Sequence, residues 1–141
     1  MKKPTSDLLK ELKSAPSLDS YLKNNQTELF FDSVADMIEY YLITKKLEKS
    51  DVIRRSNLQR NYAYQIISGS KKNPSRDKLL MICFGMQLNL EDTNRLLKMG
   101  GYPELYPRDM RDSTIIYCIL HGCSIVDTNL LLNEKNLKTL D

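Results

Sequence analysis

Asn61, Gln65 and Ser68 are spaced by four and then three residues, so at about 100° per residue they line one side of a helix. Ala63, Ile66 and Ile67 fall on the opposite stripe. One side packs and the other stays polar. A row of amides is rare on a helix face turned to a core, and Asn and Gln carry the paired donor and acceptor that match an adenine edge in a major groove. Arg60, at the start of the same helix, is the corresponding candidate for guanine. Tyr64 lies at the margin, in reach of sugar or a thymine methyl. Around them Lys49, Gln59, Ser68, Lys71, Lys72 and Asn73 are the candidate anchors for phosphate oxygens.

Two short helices joined by a tight turn would position these groups. The first is expected from about Lys49 to Ser56, with Val52 and Ile53 inward and Arg54 and Arg55 on the wet side. Asn57 should end it, because Asn is second only to Gly in tolerating the left-handed conformation that redirects a chain. Leu58 plugs the corner. Gln59 or Asn61 is placed to cap the second helix, which runs to about Ser68 and is closed by Gly69.

The spacing of Ile53, Asn57 and Ala63, four residues and then six, resembles the small-residue, glycine, branched-aliphatic signature of the lambda repressor and Cro superfamily, also called the Xre family. In that family a glycine, a basic loop and an N-P-S stretch follow the recognition helix, as Gly69, Lys71, Lys72, Asn73, Pro74 and Ser75 do here. The resemblance covers roughly residues 33 to 90. Departures are Asn57 in place of the usual glycine and Glu48 in place of a Ser or Thr cap. Ile53 replaces a small residue and Ala63 a larger one, so two facing positions exchange sizes with nearly constant summed volume. The resemblance implies a five-helix DNA-binding domain over residues 33–101, with helix 59–68 in the major groove and the preceding helix braced across the backbone. A homodimer on an inverted repeat is expected as well, since one copy reading four or five base pairs would bind weakly.

Charge is concentrated on the same stretch. From Lys45 to Lys78 ten Lys or Arg face three acids, a local net of +7, leaving 11 basic and 15 acidic residues, or −4, elsewhere. A basic patch on an otherwise acidic chain is the footprint of phosphate binding with counterion release.

The 141 residues, 41% hydrophobic and 28% charged, are enough for one compact domain with helical extensions but not two large domains. Frequent Leu, Lys and Glu, and no alternating Val/Ile/Thr runs, predict an all-α fold. In an N-terminal helical extension, residues 1–32, Thr5 or Ser6 caps a helix through about Ser14 bearing Leu8, Leu9 and Leu12. Pro16 opens a second with Leu18, Tyr21 and Leu22, and both apolar stripes are expected to cover the core. Ser33 with Asp36 reads as a capping box for a longer helix carrying Val34, Met37, Ile38, Tyr41 and Leu42. Further helices follow Pro74, with Leu79, Leu80, Ile82 and Cys83 apolar, and run from near Glu91 to Met99.

Residues 102–141 then look like a degenerate repeat of residues 76–105. A shift of 35 residues sets Arg76-Asp77 on Arg111-Asp112, Cys83 on Cys118, Asp92-Thr93-Asn94 on Asp127-Thr128-Asn129, Leu96-Leu97 on Leu131-Leu132 and Leu105 on Leu140. A duplicated helix pair over about 108–121 and 125–133 is therefore expected to extend the bundle by stacking like on like. Ser113, Tyr117 and Val126 replace Lys78, Ile82 and Glu91, so the copy is expected to pack or dimerise rather than touch DNA.

One histidine, no Gly-rich phosphate loop and no nucleophile elbow argue against an enzyme, and no cofactor is expected. Cys118, His121 and Cys123 do not converge on one point at helical pitch, so no metal site is expected. His121 ends a helix, with Gly122 as the stop. Three cysteines in apolar surroundings and no leader-like or spanning apolar run predict a cytoplasmic protein without membrane contact. The expectation is a sequence-specific binder of double-stranded DNA that regulates transcription, a repressor in preference to an activator. The alternative is an antitoxin-like or adaptor module that holds a protein partner with its terminal helices.

Overall fold

The computed structural model describes residues 3–26 and 31–141, and residues 1–2 and 27–30 of the expected N-terminal extension lie outside the described residues. The described residues are all-α, without strands. In chain order the helices are α1 (Thr5–Ser14), α2 (Leu18–Asn24), α3 (Val34–Thr44), α4 (Lys49–Ser56), α5 (Arg60–Ser68), α6 (Arg76–Met86), α7 (Leu90–Met99), α8 (Met110–Leu120) and α9 (Ile125–Glu134).

Most of these begin at a side chain that can accept from an orphan N–H. Ser33, Ser75, Asn89, Asp109 and Ser124 each accept a hydrogen bond from the backbone N–H three residues on, fixing the starts of α3, α6, α7, α8 and α9. The two N-terminal starts differ from expectation. Neither Thr5 nor Ser6 caps α1: Pro4 is the extended residue before it, and its carbonyl already accepts from the N–H groups of Asp7 and Leu8, so both hydroxyl residues lie inside the first turn. Ser17, not Pro16, sets the start of α2, its hydroxyl accepting from Ser20 N–H.

One hydrophobic cluster runs through α3 to α9 and into the C-terminal tail, from Val34 to Leu140. At its centre is α6, buried at every residue from Leu79 to Met86. The most extensive helix contact is between α6 and α4. Gly85 permits it, because a Cβ there would stand 2.3 Å from the Val52 carbonyl oxygen and 3.0 Å from the Ser56 Cβ. α3 crosses α5 and α7, and a buried carboxylate ties it to the latter: Asp92 accepts from Tyr41 Oη at 3.3 Å and pairs with Lys45 Nζ at 3.4 Å.

The N-terminal leucines do not cover the core as expected. Leu9 and Leu12 remain 51% and 43% exposed, α1 buries no residue, and its helix contact is with α2. Among the described leucines of that segment, Leu22 is the one that packs on the core. A polar clamp holds α1 instead, in which buried Asn25 donates to Glu11 Oε2 at 2.8 Å and accepts from Lys3 Nζ at 2.9 Å.

The last two helix pairs share their internal hydrogen bonds at an offset of 35 residues. Leu105 N–H donates to Asn94 Oδ1 at 2.9 Å, and Leu140 N–H to Asn129 Oδ1 at 2.7 Å. Leu88 N–H donates to the Cys83 carbonyl and Cys123 N–H to that of Cys118. The two pairs do not stack like on like. α6 packs on α9 and α7 on α8, and the charged contacts are reciprocal. Arg76 grips Asp112 through two 2.9 Å bonds, while Arg111 grips Asp77 through two 3.0 Å bonds. Each guanidinium also donates to the two carbonyls at its own pair's C-terminal end, Arg76 to Pro103 and Glu104, and Arg111 to Lys138 and Thr139. This is the self-complementary pattern of a two-fold contact, which closes on itself instead of propagating.

Candidate nucleic-acid interface

The turn between α4 and α5 is built from short-range chemistry. Asn57 occupies the left-handed region at φ 59°, ψ 18° and ends α4. Buried Ser56 holds the corner, its hydroxyl donating to the Ile53 carbonyl at 2.7 Å and accepting from Leu58 N–H at 3.2 Å. Leu58 is half-buried against the core. Glu48 precedes α4 without a side-chain cap, whereas Gln59 caps α5, its Oε1 accepting from Tyr62 N–H at 3.1 Å. At the far end Gly69 takes φ 88°, where an L side chain is strained, and its Cα lies close enough that a Cβ would meet that of Ala35 at 3.2 Å.

α5 is two-faced. Ala63, Ile66 and Ile67 are buried, and Ile53 on α4 is buried with them. Arg60, Asn61, Tyr64, Gln65 and Ser68 are all exposed. The Arg60 guanidinium lies 5.7 Å from the centre of the Tyr64 ring, a cation–π contact one turn along the helix that restrains both groups. Tyr64 sits between two shallow depressions, one shared with Lys49 and Ser50, the other with Arg54, Asn57 and Arg60. It therefore stands on the side of α5 that faces α4.

The candidate phosphate contacts Lys49, Gln59, Ser68, Lys71, Lys72 and Asn73 are exposed as well. They are not equally free. Gln59 has its carbonyl oxygen committed to the cap and keeps its amide N–H groups. The Ser68 hydroxyl lies 2.9 Å from that of Ser70 and donates to the Gln65 carbonyl at 3.3 Å, so it first holds the end of α5 in shape.

One cationic group falls outside the residues that spacing singled out. Lys78 Nζ stands 5.6 Å from the centre of the Tyr62 ring, and Lys71 Nζ stands 5.7 Å from the same centre. The Tyr62 ring thus gathers one lysine from the loop after α5 and one from α6. Sixteen residues separate Tyr62 from Lys78, so no single-helix pattern joins them. The only signal was their membership of the same basic run.

No protein-family model matches this chain, and no curated protein or solved structure matches it either.

Proposed function

We propose that residues 33–101 form a lambda-repressor-like helix-turn-helix domain that binds specific double-stranded DNA, and that the protein regulates transcription as a repressor. The observation that carries this reading is the exposed amide-bearing face of α5, held between left-handed Asn57 and Gly69 and flanked by Lys49, Lys71 and Lys72. α5 would lie in the major groove with α4 across the backbone. Asn61 and Gln65 would read adenine, Arg60 guanine, and Tyr64 would contact sugar or a thymine methyl. Lys49, Gln59, Ser68, Lys71, Lys72 and Asn73 would hold phosphates. A homodimer would read two half-sites about one helical turn apart.

Selection of bound fragments from random duplex DNA tests affinity, motif and symmetry together. Asn61→Ala should relax preference at one position and lose about 1–3 kcal/mol of discrimination. Lys71→Ala should weaken all sequences alike and reduce the salt slope by about one. Equal losses on every sequence for both variants would remove direct base reading.

A second reading rests on exposed Leu9, Leu12 and Leu18 near the N-terminus. An antitoxin-like or adaptor protein would hold a partner on that segment. A pure adaptor would keep its partner affinity after Arg60→Ala and Asn61→Ala, and it would show no attraction to duplex DNA at low salt.

A further inference from the structure

A cleft of about 310 Å³ opens between the end of α4, the α6–α7 connection and the start of α9. Its lining is divided by chemistry. Leu88, Ile119 and Ile125 supply apolar wall, and Arg54 and Arg55 supply positive charge from α4. Arg55 donates its Nε–H to the Gly85 carbonyl at 2.9 Å, and among the described residues no partner takes its terminal nitrogens. Arg54 is exposed and makes a 2.9 Å pair with Asp51 on its own helix, a contact a ligand carboxylate can exchange.

The most buried polar group of the lining is Thr93, 1% exposed, whose hydroxyl meets the Cys83 thiol but no oxygen or nitrogen partner. Its counterpart 35 residues on shows that this is not a general feature of the helix pair. Thr128 is equally buried, yet its hydroxyl donates to the Ser124 carbonyl at 2.8 Å. A thiol is a weak acceptor, so the Thr93 hydroxyl is less fully satisfied than that of Thr128. The start of α9 adds to the same cleft through Ser124, Ile125 and Val126. Of the N–H groups of that first turn, Asp127's is taken by Ser124 Oγ, while those of Ile125 and Val126 have no intrahelical partner and favour an anion. Asp127, the acid of that turn, does not line the cleft.

We propose that this cleft binds a small carboxylic acid with an apolar body. The planar guanidinium of Arg55, assisted by Arg54, takes the carboxylate, because two parallel N–H donors match its two oxygens. The apolar wall takes the body, and the cleft has room for a chain of several carbons. Octanoate is such an acid. Asn57, the turn residue between α4 and α5, also lines the cleft. An effect of the acid on duplex affinity would rest on the DNA-binding reading, whereas the binding itself does not, so it is measured without DNA.

Calorimetric titration of the full-length protein with octanoate, octanamide and butyrate tests the site. Octanoate is expected to bind at least tenfold more tightly than octanamide, which lacks the charge, and than butyrate, which lacks most of the apolar body. Arg55→Gln should reduce octanoate affinity about tenfold and erase the preference for acid over amide. Arg54→Gln, at an exposed side chain outside the Gly85 contact, should reduce it several-fold and gives the same answer if Arg55→Gln disturbs folding. Val126→Trp should block all three ligands. Failure of octanoate to bind, equal binding of acid and amide, or octanoate affinity unmoved by both Arg54→Gln and Val126→Trp would each overturn the proposal.

Discussion

The α6–α7 and α8–α9 pairs keep the same capped starts, the same Asn-to-backbone latch and the same Arg-Asp dipeptide, yet they face different neighbours. On α6, Ile82 is fully buried and Gly85 lets α4 approach to van der Waals contact. Thirty-five residues on, Tyr117 is 53% exposed and Leu120 65% exposed. Between Ser113 and Val126 there is no Lys, Arg, Asp or Glu, whereas the run from Lys71 to Lys78 holds four cations. One scaffold thus presents a face built to receive a helix and a second face left bare and neutral. A shared backbone plan does not carry a shared role, and the side chains at three or four positions decide which surface is buried.

The largest break in this comparison should come from Gly85→Ala. The added methyl would collide with the Val52 carbonyl and force α4 away from α6, costing about 3 kcal/mol and lowering the midpoint of denaturant unfolding accordingly. Next are the reciprocal ion pairs. Asp112→Ala and Asp77→Ala each leave a largely buried guanidinium with only carbonyl partners, a loss of about 2 kcal/mol apiece. If the two contacts are equivalent halves, the two losses should agree within about 0.5 kcal/mol; a much smaller loss for one of them would break the two-fold description.

The pH dependence sharpens the same contact. Burial pushes the Asp112 carboxyl up, but the Arg76 guanidinium, the Tyr106 N–H and the charge of Arg111 outweigh it and leave the group below the ordinary carboxylate range. Because the folded value is depressed, this contribution is complete above the unfolded value of about 4 and is lost as pH falls through the folded one. Chemical denaturation below pH of about 4 should therefore show a decline that is shallower in Asp112→Ala. The smallest effect belongs to Leu120→Ala. At an exposed site it should change stability by no more than about 0.5 kcal/mol, in contrast to its counterpart Gly85.

Much of the helical frame was legible because the signals are local. Asn57 and Gly69 end their helices in the left-handed region, and the stripe of Ala63, Ile66 and Ile67 is buried opposite an exposed Asn61, Gln65 and Ser68. Gln59, one of two cap candidates, takes that role. Near the N-terminus the local signals compete, because Thr5, Ser6, Pro16 and Ser17 all carry start signals and only the backbone around Pro4 and Ser17 chooses among them. The grouping of Lys71 and Lys78 on the Tyr62 ring was not legible, since it joins a loop to a different helix.

Spacing alone determined the helical class, the turn between Lys49 and Ser68, the concentration of positive charge around it and the 35-residue echo near the C-terminus. These depend on interactions within a few residues or on counting along the chain. Tertiary structure alone decided that α6 meets α9 while α7 meets α8, that Arg76 and Arg111 exchange partners, that α1 leaves Leu9 and Leu12 exposed, and that Arg55 and Thr93 line one cleft. Such contacts bring together groups tens of residues apart, and their geometry follows from how all the helices pack at once, which no single stretch of sequence encodes.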